Sequence, residues 1–244
     1  MSTLVDTRDD AIHRSPPLGV LAVVFVVLFI SSVAANFIMT DFAPYPVPYN
    51  PIEQLQDFYT RFPDAVRMVA FLQFAASIPL GLFSVVVVSR LLFHRITVAG
   101  VHIALFGGVA AALFMGISAL SAWTLSQPGV ATDTGAMRVA SLLAFATGGF
   151  GHTAALGLLL AGVSVPSLVF GLMPRWACWF GLIVAAIAEL STISIVVPAL
   201  SPLLPLARFP ALIWLIVAGF SIPKRRMDLA APQVSEHVAQ RRTA

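Results

Sequence analysis

The sequence predicts an all-α integral membrane protein, a six-transmembrane-helix bundle with a short outer interfacial helix and both termini cytoplasmic. Three observations predict it. Hydrophobic residues make up 59% of the 244-residue chain and charged residues 10%, with a mean hydropathy of +0.92, whereas ordinary soluble domains carry about a quarter charged residues. Six apolar stretches approach the ~20 residues that a helix needs to cross a bilayer, which leaves no room for a folded soluble domain. Lysine and arginine, finally, are distributed unevenly. With the N-terminus inside, the cytoplasmic face receives Arg8, Arg14, Arg90, Arg95, Arg175, Lys224, Arg225, Arg226, Arg241 and Arg242, and the outer face only Arg61, Arg67, Arg138 and Arg208. The basic pI of about 9.6 follows from that bias; no groove interleaving bases with aromatics marks a nucleic-acid surface.

The chain divides into a cytoplasmic tail (1–16), a transmembrane domain (17–222) and a basic cytoplasmic tail (223–244). Both tails are polar and aperiodic, which predicts mobile ends. Span one covers 18–40. Ser32-Val33-Ala34 imitates a signal-peptidase site, but the apolar run continues past it to Met39, longer than a signal sequence needs, so an uncleaved anchor is expected.

The outer loop, 41–64, carries a helix at 51–62: Asn50 as cap, Pro51 at the first helical position and Glu53 three residues after the cap form a capping box. Ile52, Leu55, Phe58, Tyr59 and Phe62 recur at helical spacing, so one stripe lies on the bilayer interface or over the mouth of the bundle, as spacer or as lid. Tyr45 and Tyr49 are placed as headgroup-depth anchors. Span two (66–90) carries Gln73, Ser77 and Pro79, and span three (98–125) starts beside His94 and His102. Span four (139–166) concentrates glycine in Gly148-Gly149-Phe150-Gly151-His152-Thr153, a pattern for close helix approach, a bend or exposed carbonyls. Gly171 and Pro174 separate it from span five (177–200), which holds the only cysteine, Cys178, and Glu189. Ser201-Pro202 makes a tight hairpin to span six (203–222), where Arg208 is expected to snorkel to the outer interface.

Glu189 is the one acid that hydropathy places inside the bilayer, where a carboxylate costs about 2.5–3.5 kcal/mol before any partner is counted. His152, mid-way along the preceding antiparallel span, is its natural partner, and a His–Glu pair at the midplane can share and relay a proton. Ser191, Thr192, Thr153 and Gln73 complete a candidate intramembrane polar site. Read structurally, the glycines are packing contacts and His152 a hydrogen-bonded glue residue. Lys224, Arg225 and Arg226 can grip anionic headgroups; Asn36 can reach loop backbone. No third ligand joins His152 and Glu189, so no metal is expected. The histidines lack the matched depth of a haem pair, and no phosphate loop or dinucleotide fingerprint is present, so no cofactor and no catalytic residue is expected.

The runs Leu156-Gly157-Leu158-Leu159-Leu160-Ala161-Gly162-Val163-Ser164-Val165-Pro166, Gly171-Leu172-Met173-Pro174-Arg175-Trp176 and Leu204-Pro205-Leu206-Ala207-Arg208-Phe209-Pro210, with Trp214 and Gly219-Phe220, resemble an uncharacterised family of bacterial multi-pass membrane proteins, a domain of unknown function, over residues 65–223. The resemblance implies a six-helix protein of a bacterial inner membrane and brings no activity with it. Two functions stay open on the sequence: a proton-linked small-molecule transporter or sensor built on the His152–Glu189 pair, and a non-catalytic membrane subunit that binds a partner protein, lipid or second copy, in which the pair only fixes helix register.

Overall fold

The structure, a computed structural model, describes residues 12–225. Its helices are α1 (Leu18–Met39), α2 (Ile52–Arg61), α3 (Pro63–Phe93), α4 (Ala99–Leu125), α5 (Thr134–Phe145), α6 (His152–Phe170), α7 (Arg175–Leu190) and α8 (Leu203–Ser221). Six spans are long and apolar enough to cross a membrane. The fourth runs without a break from Thr134 to Phe170, because a π-helical turn, Ala146–Gly151, joins α5 to α6. The fifth continues from α7 through a 3-10 turn, Ser191–Ile195, and a second such turn, Pro198–Leu200, leads into α8.

The spans pack as a ring in chain order: α1 on α3, α3 on α4, α4 on α6, α6 on α7, α7 on α8, and α8 back on α1. Between lipid-bathed helices close packing replaces hydrophobic exclusion as the attractive force, so small residues mark the tightest seam. One seam in which the backbones themselves approach this closely is α4 against α6. A Cβ on Gly107 would stand 2.6 Å from Leu158 Cβ, and one on Gly162 would stand 2.6 Å from the Gly100 carbonyl. At the far end of α6, Gly171 adopts φ +69°, and Leu172 N–H closes back on Ser167 O at 3.0 Å, as in a left-handed helix stop. Trp214, fully buried, donates its indole N–H to Ala177 O at 3.0 Å and fixes α8 to the start of α7.

The two chain ends meet on one face, here the end face. Arg90, 1% exposed, donates from Nη1 to Ile222 O at 3.1 Å and from Nη2 to Pro16 O at 3.5 Å. His94 Nε2 lies 3.1 Å from Pro223 O, His13 Nε2 lies 3.0 Å from Ser89 Oγ, and Ile12 bridges Arg225 in antiparallel fashion. The expected mobile tails are therefore pinned over 12–16 and 223–225, because buried Arg90 recruits main-chain carbonyls from both. Lys224 and Arg225 keep exposed side chains there; Arg226 and the remaining tail residues lie outside the described residues.

The opposite face, the cap face, carries α2. Leu55, Phe58 and Tyr59 are buried against Val66, Leu125, Ala131 and Met137, so the apolar stripe closes onto the bundle rather than lying along its rim. The capping box does not form. Pro51 is the cap residue and has no side-chain bond, while Asn50 donates its amide to Gln54 Oε1 at 3.0 Å. Tyr45 and Tyr49 stay exposed while their rings pack 5.3 Å from Phe58 and 5.7 Å from Phe145 respectively. Asp133 supplies the best-formed helix cap, accepting from Gly135 N at 2.9 Å and Ala136 N at 3.0 Å.

Candidate functional site

The site begins with the six-residue turn Ala146-Thr147-Gly148-Gly149-Phe150-Gly151. Three glycines weaken the α-helical register, and the backbone widens into a π turn, a local irregularity that leaves carbonyls off the regular ladder. His152 N–H reaches Thr147 O and Gly149 O. The intervening Gly148 carbonyl accepts a hydrogen bond from Arg208 Nη2, which crosses from α8. The turn can approach α4 this closely because Gly148 lacks a side chain: a Cβ there would run into Ser118 Oγ. Ser118 itself donates to Ala144 O at 2.8 Å.

Arg208 also donates from Nη2 to Thr153 Oγ1 at 3.4 Å, and its Cζ stands 5.9 Å from the centre of the Phe29 ring. Its Nε is buried without a partner. A carbonyl, a hydroxyl and an aromatic face lower the cost of burying a guanidinium, but none supplies the opposite charge that offsets several kcal/mol of lost hydration. Among the described residues the one ion pair is Arg67 with Asp64, at 3.0 Å, on the surface of a separate groove between α3 and α4.

Arg208 borders a cavity of about 700 Å³ on the cap-face side of the bundle. Its rim is the loop segment 45–49 and the hairpin around Pro198, Ser201 and Pro202, with Tyr59 of α2 contributing to the roof. Burial, and then the neighbouring Tyr45 phenol, hold the Tyr59 hydroxyl well above the usual phenol range, so the roof is uncharged. The walls are apolar, with Phe29, Phe37, Met115, Phe145 and Phe209 among them. The polar groups are Arg208, His152, Asn36, Gln73 and several serines, and no acidic side chain among the described residues lines the cavity. His152 is 1% exposed and sits at the middle of the 37-residue fourth span, so the cavity descends to the centre of the bundle. Its Nδ1 lies 2.9 Å from Ala111 O; since a carbonyl can only accept, Nδ1 carries the hydrogen, and in the neutral ring Nε2 is an acceptor. Neither His152 Nε2 nor Asn36 Oδ1 has a protein partner.

The structure separates His152 from Glu189. His152 points at α4, whereas the Glu189 carboxylate lies over Gly157 of α6, where an added methyl would come within 3.0 Å of it. Five residues at ~100° each place positions 152 and 157 about 140° apart around α6, so the two side chains occupy different faces of that helix. Glu189 is exposed, lies past the middle of the fifth span towards the cap face, and is absent from the cavity wall. Ser191 donates to Ala188 O and Thr192 to Glu189 O, both at 2.6 Å, so these hydroxyls serve the end of α7. Of the residues expected to form one polar site, Gln73 and His152 line the cavity and Thr153 braces Arg208 from behind.

Arg208 was expected at the interface, facing hairpin carbonyls or headgroups; it turns inward instead. The pattern held a signal for this. It is the only charged residue between Glu189 and Lys224, and it falls on the helical stripe Leu204, Ala211 and Leu215 that faces the bundle. Among the described residues no group of three or more His, Cys, Asp or Glu is arranged to hold a metal ion. No family model matches the sequence, and neither a curated protein nor a solved structure matches it.

Proposed function

We propose that this multi-pass membrane protein binds a small molecule in the cavity between the cap helix and His152, as the recognition step of a transport or sensing process. The observation that carries this reading is a cavity of about 700 Å³ that reaches the middle of the longest span and is lined there by His152, Gln73 and Arg208. That volume lies within the range of small-molecule sites, which combine apolar walls with a few placed polar groups. A proton-linked mechanism through a His152–Glu189 pair loses its support, because the two side chains occupy different faces of α6.

The test uses the chain's single cysteine, Cys178, which is buried and can be replaced by Ser. In that background Gln73→Cys, about 15 Å below the start of α3 at 1.5 Å per residue, is exposed to a neutral, water-soluble methanethiosulfonate in lipid nanodiscs. Reaction at Gln73→Cys, with Ile183→Cys on the outer wall of α7 unreactive, is the expected result. Equal silence at both positions overturns the reading.

A further inference from the structure

We infer that the ligand is an organic monoanion, a carboxylate or similar single oxyanion on an apolar body, anchored by Arg208. The inference rests on the cavity being a ligand site and adds the class of ligand. Arg208 brings one positive charge to a cavity wall without an acid, and both of its hydrogen bonds to protein leave through Nη2. Nε is buried without a partner, and Nη1 makes no hydrogen bond to protein. The free Nη1 N–H groups can donate a charge-assisted hydrogen bond to one oxygen of a carboxylate or similar oxyanion. The bonds to Gly148 O and Thr153 Oγ1 hold the fork from behind, so the anchor is in place before a ligand arrives.

Charge count sets the valence. One guanidinium in a low-dielectric cavity balances one negative charge; a dianion would leave a second charge buried without a partner, and a cation would meet repulsion with no acid to offset it. The volume and the aromatic walls exclude a bare inorganic ion as a filling ligand, since most of the cavity surface offers carbon. The rim residues Pro46, Pro48, Pro198 and Pro202 carry no N–H, so the rim adds no main-chain donor at those positions to compete for the anion on its way in. The oxyanion can come from water or from the headgroup of an anionic lipid entering sideways.

The experiment measures protection of Gln73→Cys from the neutral reagent, in the Cys178→Ser background and in nanodiscs of zwitterionic lipid, by phenylacetate, phenylacetamide and phenethylamine. These three share an apolar body and differ in charge. Phenylacetate is expected to protect at about tenfold lower concentration than the amide, the increment of a charge-assisted pair over a neutral one, and the amine not to protect. Arg208→Gln abolishes that preference and Arg208→Lys retains it in weaker form. Amide and carboxylate protecting equally in the wild-type background overturns the anion assignment while leaving the cavity reading intact; no labelling of Gln73→Cys without any ligand overturns the cavity reading first. Protection by phosphatidylglycerol included in the disc, lost in Arg208→Gln, assigns the oxyanion to a membrane lipid; protection by phenylacetate alone assigns it to a soluble acid.

Discussion

The Arg208 guanidinium on α8 donates to the main-chain carbonyl of Gly148 in the π turn between α5 and α6. Sixty residues apart in sequence, the two groups meet because each breaks its own helix's rule: an arginine on an apolar stripe and a carbonyl displaced from the α-helical ladder. The bond positions a charge and leaves it unneutralised, and the stability and chemistry of the site both follow from that.

Arg208→Gln is expected to leave thermal stability unchanged or to raise it. The guanidinium is half-buried beside apolar walls without an acid to offset its lost hydration, and replacing such a group by a neutral one relieves about as much as the hydrogen bonds return. Thermal melting of the two proteins in one neutral detergent checks this. A loss above about 3 kcal/mol, the penalty of breaking a buried pair, would show that Arg208 is a structural strut.

Gly148→Ala and Gly149→Ala are expected to differ. A Cβ at 148 collides with Ser118 Oγ, whereas one at 149 meets Leu204 Cδ1 at an ordinary 3.5 Å. The first should cost about 1–3 kcal/mol, as overpacking does, and the second much less. Combining Gly148→Ala with Ser118→Ala removes the colliding hydroxyl and leaves only a 2.9 Å approach to the Cβ of residue 118, so a melting temperature for the double variant above that of Gly148→Ala alone confirms the contact.

The end face should loosen in acid. His13 has its pKa pushed below the usual histidine value of 6.5, first by burial and then by Arg90 and His94. Its depressed value means that the unfolded chain binds the proton more readily, so the His13 contribution is present above about pH 6.5 and lost as pH falls through the lower folded value. Melting measured from neutral pH downwards should show a decline that His13→Gln reduces. An identical pH slope in both proteins would place the titrating group elsewhere.

Glu189→Gln is expected to leave both the labelling of Gln73→Cys and its protection by phenylacetate unaltered, since Glu189 is exposed beside Gly157 of α6 and is absent from the cavity wall. A change in either readout beyond twofold would return Glu189 to the site.

Much of the fold was legible because hydropathy reads span number and approximate limits directly: α1, α4 and α8 begin and end within a residue of the expected spans. The stop at Gly171 and the position of α2 followed from glycine and from the stripe Leu55, Phe58 and Tyr59. Rotation about the helix axis was not legible. A helix that is apolar all round has no sequence-written inner face, so His152 and Glu189 could be assigned similar depths but not a shared side of α6. Arg90 was counted as a topological charge, yet its burial comes from carbonyls at two distant chain ends, which no local pattern shows. The capping box failed because the helix begins one residue later than the pattern suggests, with Pro51 and not Asn50 in the cap position.

The π turn has a consequence for the reading frame of its helix. A wide turn accommodates one more residue than the α-helical winding around it, so α5 and α6 present their inner faces in different angular phase although they form one continuous rod. Removing a single residue from 146–151 would let the rod wind uniformly and leave Met137 and Ser141 facing as they do relative to His152, because the wide turn takes up its extra residue without adding rotation. The same deletion in the regular winding of α4 would swing everything beyond it by about 100°, so the six-residue stretch marks where the chain's numbering and its geometry are allowed to slip past each other.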